Sequence, residues 1–343
     1  MQTQEYRVGI LGATGAVGQT FVRLLNDHPW FTVTAVAASE RSAGHSYQEA
    51  TNWLSGAPIP EHVADLTVQH TDPSAVECDF VFSALSSSVA GEIEAKFATA
   101  GVPVVSNAKN YRLDDHVPLL IPEVNPDHLA LIDEQSWGSE GFIVTNPNCS
   151  TTGLICGLHP LMDTFDLEAV QVTMLQALSG AGHPGVPSLD AVGNVIPYIG
   201  GEEEKLLTLS AQCTRVPVRN GHLACASVRF WDDVDADAVE AALREFRAPA
   251  VTESLPSRPD PFVQVLDAPD APQPQRHVKA GGGMTVSVGR LQDCPVNDVK
   301  FVLLSHNTVR GAAGGAILNA ELLATEDYLT AARTDAATEP ATT

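Results

Sequence analysis

Gly12-Ala13-Thr14-Gly15-Ala16-Val17-Gly18 follows the apolar run Tyr6–Leu11 and opens the stretch Ala16–Asp27, in which Val17, Phe21, Leu24 and Leu25 recur at helical spacing. A strand, a glycine-rich turn and a helix in that order do two things at one point. The glycines let the backbone turn tightly and approach a ligand, and the first amides of the helix face an anion. Any tight βα turn also needs glycine, so the pattern alone is weak. Its place at the first strand–helix junction is what points to a dinucleotide pyrophosphate, with Gly12, Thr14, Gly15, Ala16, Val17 and Gly18 as candidate contacts.

Working outward, Phe31–Ala38 and Cys78–Ala84 read as strands, Val89–Thr99 as a helix and Val102–Val105 as a further strand. Strands alternating with helices at short distances make a parallel sheet of βαβ units. The end of the second strand sets cofactor choice. An NAD site carries an acidic residue there, whereas here the chain reads Ser39-Glu40-Arg41-Ser42. Ser39 and Arg41 suit the extra phosphate of NADP, and an inward Glu40 would select NAD; the Ser-x-Arg chemistry favours NADP.

Past Phe142–Thr145 the pattern changes. Val170–Ala177, Cys225–Trp231 and Met284–Gly289 read as longer strands with the amphipathic helix Ala236–Phe246 among them. Asp260–Gly283, rich in Pro, Asp and Gly, reads as a loop. Val302–Ser305 is a strand, Gly311–Leu323 a small-residue helix that returns to the first half, and Thr334–Thr343 a disordered tail. The fold class is therefore α/β: a Rossmann-like dinucleotide-binding domain (1–148 with 308–343) and an α+β catalytic domain (149–307). A length of 343 residues accommodates two such cores.

Composition excludes several classes. A net charge of −23 with five lysines and fourteen arginines opposes nucleic-acid binding. No apolar stretch is long enough to span a bilayer and the polar N-terminus is no secretory signal, so a cytoplasmic protein is expected. The six cysteines form no C-x-x-C pair and no metal spacing, so reduced thiols and no metal are expected. The dispersed acidic excess fits a surface adapted to a high-salt interior, where ions screen self-repulsion.

Cys149 stands out among those thiols. It lies in Asn146-Pro147-Asn148-Cys149-Ser150-Thr151-Thr152-Gly153, just past a strand and at the start of a helix. A helix N-terminus favours the thiolate, and the amides, with the Asn148 side chain, can hold an oxyanion. Cys156, Cys213 and Cys225 read instead as small core residues. A nucleophilic thiol needs a partner base. His222, after a glycine turn and near Arg215 and Arg219, is one candidate, and His183, in the glycine-rich loop Ser179–Gly185, is its rival.

Six segments together resemble the aspartate-semialdehyde dehydrogenases, nearest the archaeal and fungal-like branch: Gly12–Gly18, Asn146–Gly153, Gln176–Gly182, Glu202–Lys205, Arg215–His222 and His306–Ala313. The resemblance implies NADPH-dependent reduction of L-aspartyl 4-phosphate to L-aspartate 4-semialdehyde and phosphate, on the route to lysine (through diaminopimelate), threonine and methionine. It implies Cys149 as nucleophile, His222 as acid/base and Gln176 as the residue that orients the substrate. It further implies Arg215 on the substrate carboxylate, Glu202 on its ammonium, and Lys205, Lys109 and Arg112 on phosphate. Ser83, Ser179, Gly180 and Asn307 are implied at the cofactor, and a homodimer or homotetramer as the assembly. His45 departs from the lysine the family is expected to carry there. A malonyl-CoA or succinyl-CoA reductase would share the thiol chemistry, as would an N-acetylglutamyl-phosphate reductase, and a dinucleotide sensor would share the glycine-rich half. Glu202 and Arg215 suit an amino-acid substrate.

Overall fold

The structure, a computed structural model, describes residues 5–137, 140–183, 185–200, 202–203 and 209–330. Two six-stranded sheets organise them. The first runs in the order β3-β2-β1-β4-β5-β6, formed by β1 (Tyr6–Leu11), β2 (Phe31–Ala38), β3 (Gln69–His70), β4 (Phe80–Ser83), β5 (Val104–Ser106) and β6 (Ile143–Thr145). All its pairings are parallel. The order reverses between β1 and β4, which opens a crevice at the carboxyl ends of the strands, where dinucleotides bind.

Both faces of this sheet are buried, as its near-continuous apolar strands require. Val8, Ile10, Phe80 and Phe82 point into one core shared with the helices Ala16–Leu24 and Gly314–Thr325. Leu11, Val81 and Val104 point into a second core with Phe97 and Ala98 of the helix Ser87–Thr99. Gly12 bends the chain out of β1 with φ +76°, and a Cβ there would stand 2.7 Å from the Ala84 carbonyl oxygen. Only glycine meets both demands.

The second sheet has the order β10-β11-β12-β9-β7-β8, from β7 (Leu167–Gln176), β8 (Ser210–Arg215), β9 (His222–Phe230), β10 (Val263–Leu266), β11 (Val286–Asp293) and β12 (Val299–Ser305). Its inner face meets the helices Cys149–Met162 and Ala236–Glu245. Alternation is clear along β9, where Ala224, Ala226, Val228 and Phe230 are buried while Cys225 and Arg229 are exposed. The outer face is thus left to solvent.

The cores are joined by Arg310. Its guanidinium donates to both oxygens of Glu123 at 2.6 and 2.8 Å and to Cys156 Sγ at 3.1 Å, and it lies 5.2 Å from the Phe262 ring centre. Both members of the pair are buried.

Three expectations need correction. Cys225, expected as a small core residue, is exposed, because it alternates with the buried Ala224 and Ala226 along β9. Asp260–Gly283 is not all loop: Val263–Leu266 pairs in parallel with β11 as an edge strand. Four residues among prolines and aspartates carry too little period to be read without that partner. The helix expected from Gly311 begins at Gly314, after the wide turn Val309–Ala313, in which the Gly311 N–H donates to the His306 carbonyl. The expected tail 334–343 lies outside the described residues.

Candidate active site

Strand period gathers the candidate residues at one end of the second sheet. Gln176 ends β7 on the face of Val170, Val172 and Met174, and Arg215 ends the parallel β8 on the face of Cys213. β9 is antiparallel to β7, so its first residue, His222, comes to the same end, beside Ser305 of β12. Against that face packs the helix whose first residue is Cys149, entered directly from β6 of the other sheet.

Cys149 Sγ lies 3.1 Å from His222 Nε2, and His222 Nδ1 accepts from the Ala177 N–H at 3.1 Å. His183 is exposed on its loop. Asn148 is the N-cap: its Oδ1 accepts from Thr151 N at 2.9 Å, while its Nδ2 donates to Glu202 Oε2 at 3.1 Å. The same Glu202 oxygen accepts from Ser150 Oγ and from Gln176 Nε2, each at 3.1 Å. Arg215 Nη1 donates to the Ala177 carbonyl at 2.8 Å and reaches Gln176 Oε1 at 3.4 Å.

The electrostatics are mixed by design of the fold. Burial lowers the pKa of Arg215 and of Arg112, and Cys149 and Glu202 push both back up. The two guanidinium groups therefore sit within electrostatic reach of the sulfur. Burial, aided by Arg215 and His306 and opposed by Glu202, pushes His222 down to about 3, so its ring is neutral at physiological pH. Gly311 packs against the Cys149 backbone and Cβ, where an added Cβ would come within 2.6 Å of Cys149 Cβ.

The crevice of the first sheet fits a dinucleotide. The helix Ala16–Leu24 starts at Gly15 with no side-chain cap, so its first amides are open to an anion. Thr14 is tied from behind by Gln19, whose Nε2 donates to its carbonyl at 2.9 Å while Oε1 accepts from Leu54 N at 2.7 Å. Ser39 and Arg41 are exposed just past β2, as is Glu40, whereas Ser42 is buried and its N–H donates back to the Ser39 carbonyl. On the facing side, Asn307 Nδ2 donates to Ser179 Oγ at 2.8 Å and its Oδ1 accepts from Gly221 N at 2.9 Å.

Comparison with known proteins agrees with this arrangement. The sequence-family model for the semialdehyde dehydrogenase NAD binding domain matches residues 7–132, and that for the dimerisation domain matches 158–208 and 205–310. The aspartate-semialdehyde dehydrogenase of Archaeoglobus fulgidus is 46% identical over 346 residues, covering 94% of this chain and 99% of that one. The chain belongs to the aspartate-semialdehyde dehydrogenase family. The Saccharomyces cerevisiae relative is 42% identical over 92% of this chain and 96% of its own. A crystal structure of aspartate semialdehyde dehydrogenase with NADP from Candida albicans superposes with a TM-score of 0.87 at 41% identity, covering 95% of this chain and 100% of that one.

Within this aspartate-semialdehyde dehydrogenase scaffold, not every expected residue joins the cluster. Lys109 is exposed on the turn after β5, and His45 is exposed past β2. Lys205 lies outside the described residues. Ser83 is fully buried: its hydroxyl donates to Glu94 Oε1 at 2.6 Å and its carbonyl accepts from the Asn107 N–H and Nδ2 at 3.0 and 3.2 Å. Gly180 packs under Arg215 and His222.

Sequence reasoning missed three supporting groups. Glu94 is completely buried and receives Ser106 Oγ at 2.7 Å as well as Ser83; burial raises its pKa. Gln19 anchors the glycine-rich turn. Arg310 was the one signal in plain view, a lone charge ahead of Gly311-Ala312-Ala313. Among the described residues no helix is long and apolar enough to cross a membrane.

Proposed function

We propose that this protein reduces L-aspartyl 4-phosphate to L-aspartate 4-semialdehyde and phosphate, reversibly, with NADPH and through a thioester on Cys149. The observation that carries the reading is the 3.1 Å contact of Cys149 Sγ with His222 Nε2 at the start of a helix that grows out of the dinucleotide sheet. The thiolate attacks the acyl carbon; a C–S bond forms and the C–O bond to phosphate breaks. The bound cofactor supplies the hydride that reduces the thioester carbon. Release of aldehyde then breaks the C–S bond and returns the thiolate.

The remaining roles follow the chemistry of each group. Arg215 offers a planar fork for the substrate carboxylate, Glu202 an anion for its ammonium, and Gln176 an amide that orients the acyl group. Arg112, Lys109 and Lys205 supply positive charge for phosphate. Asn148 and the first amides of its helix serve the developing oxyanion. Gly12 to Gly18 hold the pyrophosphate, Ser39, Arg41 and Ser42 the adenosine phosphate, and Ser179, Gly180 and Asn307 the nicotinamide end.

We assign residues 1–148 with 308–343 to the cofactor domain and 149–307 to the catalytic domain. The dimerisation-domain match and the open outer face of the second sheet support a homodimer or homotetramer. The absence of any C-x-x-C pair among the six cysteines suits a reducing cytoplasm. The test is an assay of aspartate semialdehyde with phosphate, comparing NADP and NAD, on the native protein and Cys149→Ser. Phosphate-dependent formation of NADPH, lost in the variant, is expected. Turnover of a CoA thioester with none of aspartate semialdehyde would overturn the proposal.

A further inference from the structure

We infer that Glu94, a wholly buried carboxylate on the helix Ser87–Thr99, is a positioning residue for the phosphate subsite: through Ser106 it fixes the Asn107–Ala108 peptide that anchors Arg112. The inference rests on Arg112 meeting phosphate, as proposed above. Glu94 has no exposed surface, so whatever it contributes to the reaction passes through other groups.

The linkage runs bond by bond. Ser83 Oγ and Ser106 Oγ, at the ends of β4 and β5, both donate to Glu94 Oε1, at 2.6 and 2.7 Å. A hydroxyl has one proton to give. With that proton committed to Glu94, Ser106 Oγ turns a lone pair to the chain ahead and accepts from the Ala108 N–H at 3.0 Å. The same peptide unit carries the Asn107 carbonyl, which accepts from Arg112 Nη2 at 2.7 Å. A peptide unit is planar, so holding its N–H on one side aims its C=O on the other. Release of the Ala108 N–H would let the unit turn and take the carbonyl away from the guanidinium.

The rest of the turn is held independently, which narrows the part left to Glu94. The Asn107 N–H donates to the Ser83 carbonyl at 3.0 Å, and Asn107 Oδ1 accepts from Asn146 Nδ2 at 2.9 Å, on the passage that leads to Cys149. Tyr111 Oη donates to the Gly91 carbonyl at 2.6 Å, and Asn110 Nδ2 to the Ser87 carbonyl at 3.0 Å. Between these two sets of bonds, the Asn107–Ala108 unit takes its orientation from Ser106. Arg112 depends on that unit, because its Nε is buried without a partner among the described residues.

Only one oxygen of Glu94 is used. Among the described residues Oε2 is buried and accepts nothing. A glutamine there keeps the oxygen that both hydroxyls need and places its nitrogen where no bond is lost, so Gln can stand in for Glu where Ala cannot. The charge matters less. Burial lowers the pKa of Arg112, and Cys149, Glu202 and, least, Glu94 raise it again.

Steady-state kinetics with aspartate semialdehyde, NADP and inorganic phosphate tests this on the full chain. Glu94→Ala should raise the KM for phosphate about tenfold or more, the loss expected for a hydrogen bond to a charged group, and move the KM for NADP less than about threefold. Glu94→Gln should keep the KM for phosphate within about threefold of native. Ser106→Ala, a smaller change should Glu94→Ala fail to fold, should repeat the rise. In an Arg112→Ala background, Glu94→Ala or Ser106→Ala should raise the phosphate KM no further, because a residue that acts through another has nothing left to act on. A merely structural loss would instead move both KM values alike and add to that of Arg112→Ala. Equal rises for Gln and Ala, an unchanged phosphate KM in Ser106→Ala, or additive effects with Arg112→Ala would overturn the inference. Titration calorimetry of inorganic phosphate onto the NADP complex of each variant is read separately. No turnover of aspartate semialdehyde by the native protein sinks the functional proposal alone if phosphate binding is still weakened in Glu94→Ala or Ser106→Ala and kept in Glu94→Gln. Phosphate binding that is absent from the native protein, or equal in all variants, sinks this inference.

Discussion

Replacing Arg310 with Met should destabilise the protein far more than its distance from solvent-exposed function would imply. The substitution removes the donors to both Glu123 oxygens among the described residues, at 2.6 and 2.8 Å, and leaves a carboxylate with no exposed surface. Breaking one side of such a pair costs about 3–5 kcal/mol, because the remaining charge is buried without compensation. Unfolding entropy near 2.1 cal/mol/K per residue makes that roughly 4–7 °C in Tm for a chain of 343 residues. The double variant Arg310→Met with Glu123→Leu removes both charges and should recover most of the loss. The assay is thermal unfolding followed by circular dichroism, with all variants at one protomer concentration. A drop below about 1 °C in the single variant, or no recovery in the double, would refute the argument that the uncompensated charge is what costs.

Acid should unfold the protein through two histidines. Burial is the largest cause holding His222 down to about 3 and His306 down to about 4, against an ordinary 6.5, so the unfolded chain binds more protons and stability falls as pH drops below 6.5. At pH 5 each costs about 2 kcal/mol, and urea midpoints at pH 7 and 5 should show His306→Asn losing about 2 kcal/mol less than the native chain; equal losses would contradict the assignment. Gly311→Ala, with its new Cβ 2.6 Å from Cys149 Cβ, should lower kcat about 10–100-fold by displacing the sulfur while leaving the KM for NADPH unchanged. Arg41→Ala should raise the KM for NADPH about tenfold or more and leave that for NADH alone, which steady-state kinetics with both cofactors decides. With a net charge of −23, the melting temperature should rise with potassium chloride, and full stability in low salt would remove the high-salt reading of the surface.

Local signals were the legible ones. The glycine-rich turn needs only its own strand and helix, and the polar stretch around Cys149 announces a helix start from its own neighbours. Strands with a long period, such as β7 and β9, could be read within a few residues of their ends. What escaped depends on partners far along the chain. β8 and β10 are short and take their register from β7 and β11. Glu94 is a core residue only because Ser83 and Ser106 arrive at its carboxylate, and Glu123 only because Arg310 returns 187 residues later. The double engagement of Asn148, cap by its oxygen and Glu202 partner by its nitrogen, needed the loop bearing Glu202 to fold back. The competition between His222 and His183 turned on the pairing of β9 beside β7, which no single segment carries.

The chain passes from the first sheet to the second at Thr145–Cys149 and comes back at Ser305–Gly311, and both passages touch the nucleophile. Rotation of one half against the other about these two strands of backbone would sweep the rims widely and the sulfur hardly at all. Cys149 therefore takes its position from both sheets at once, and a shift of either passage would be felt at the sulfur.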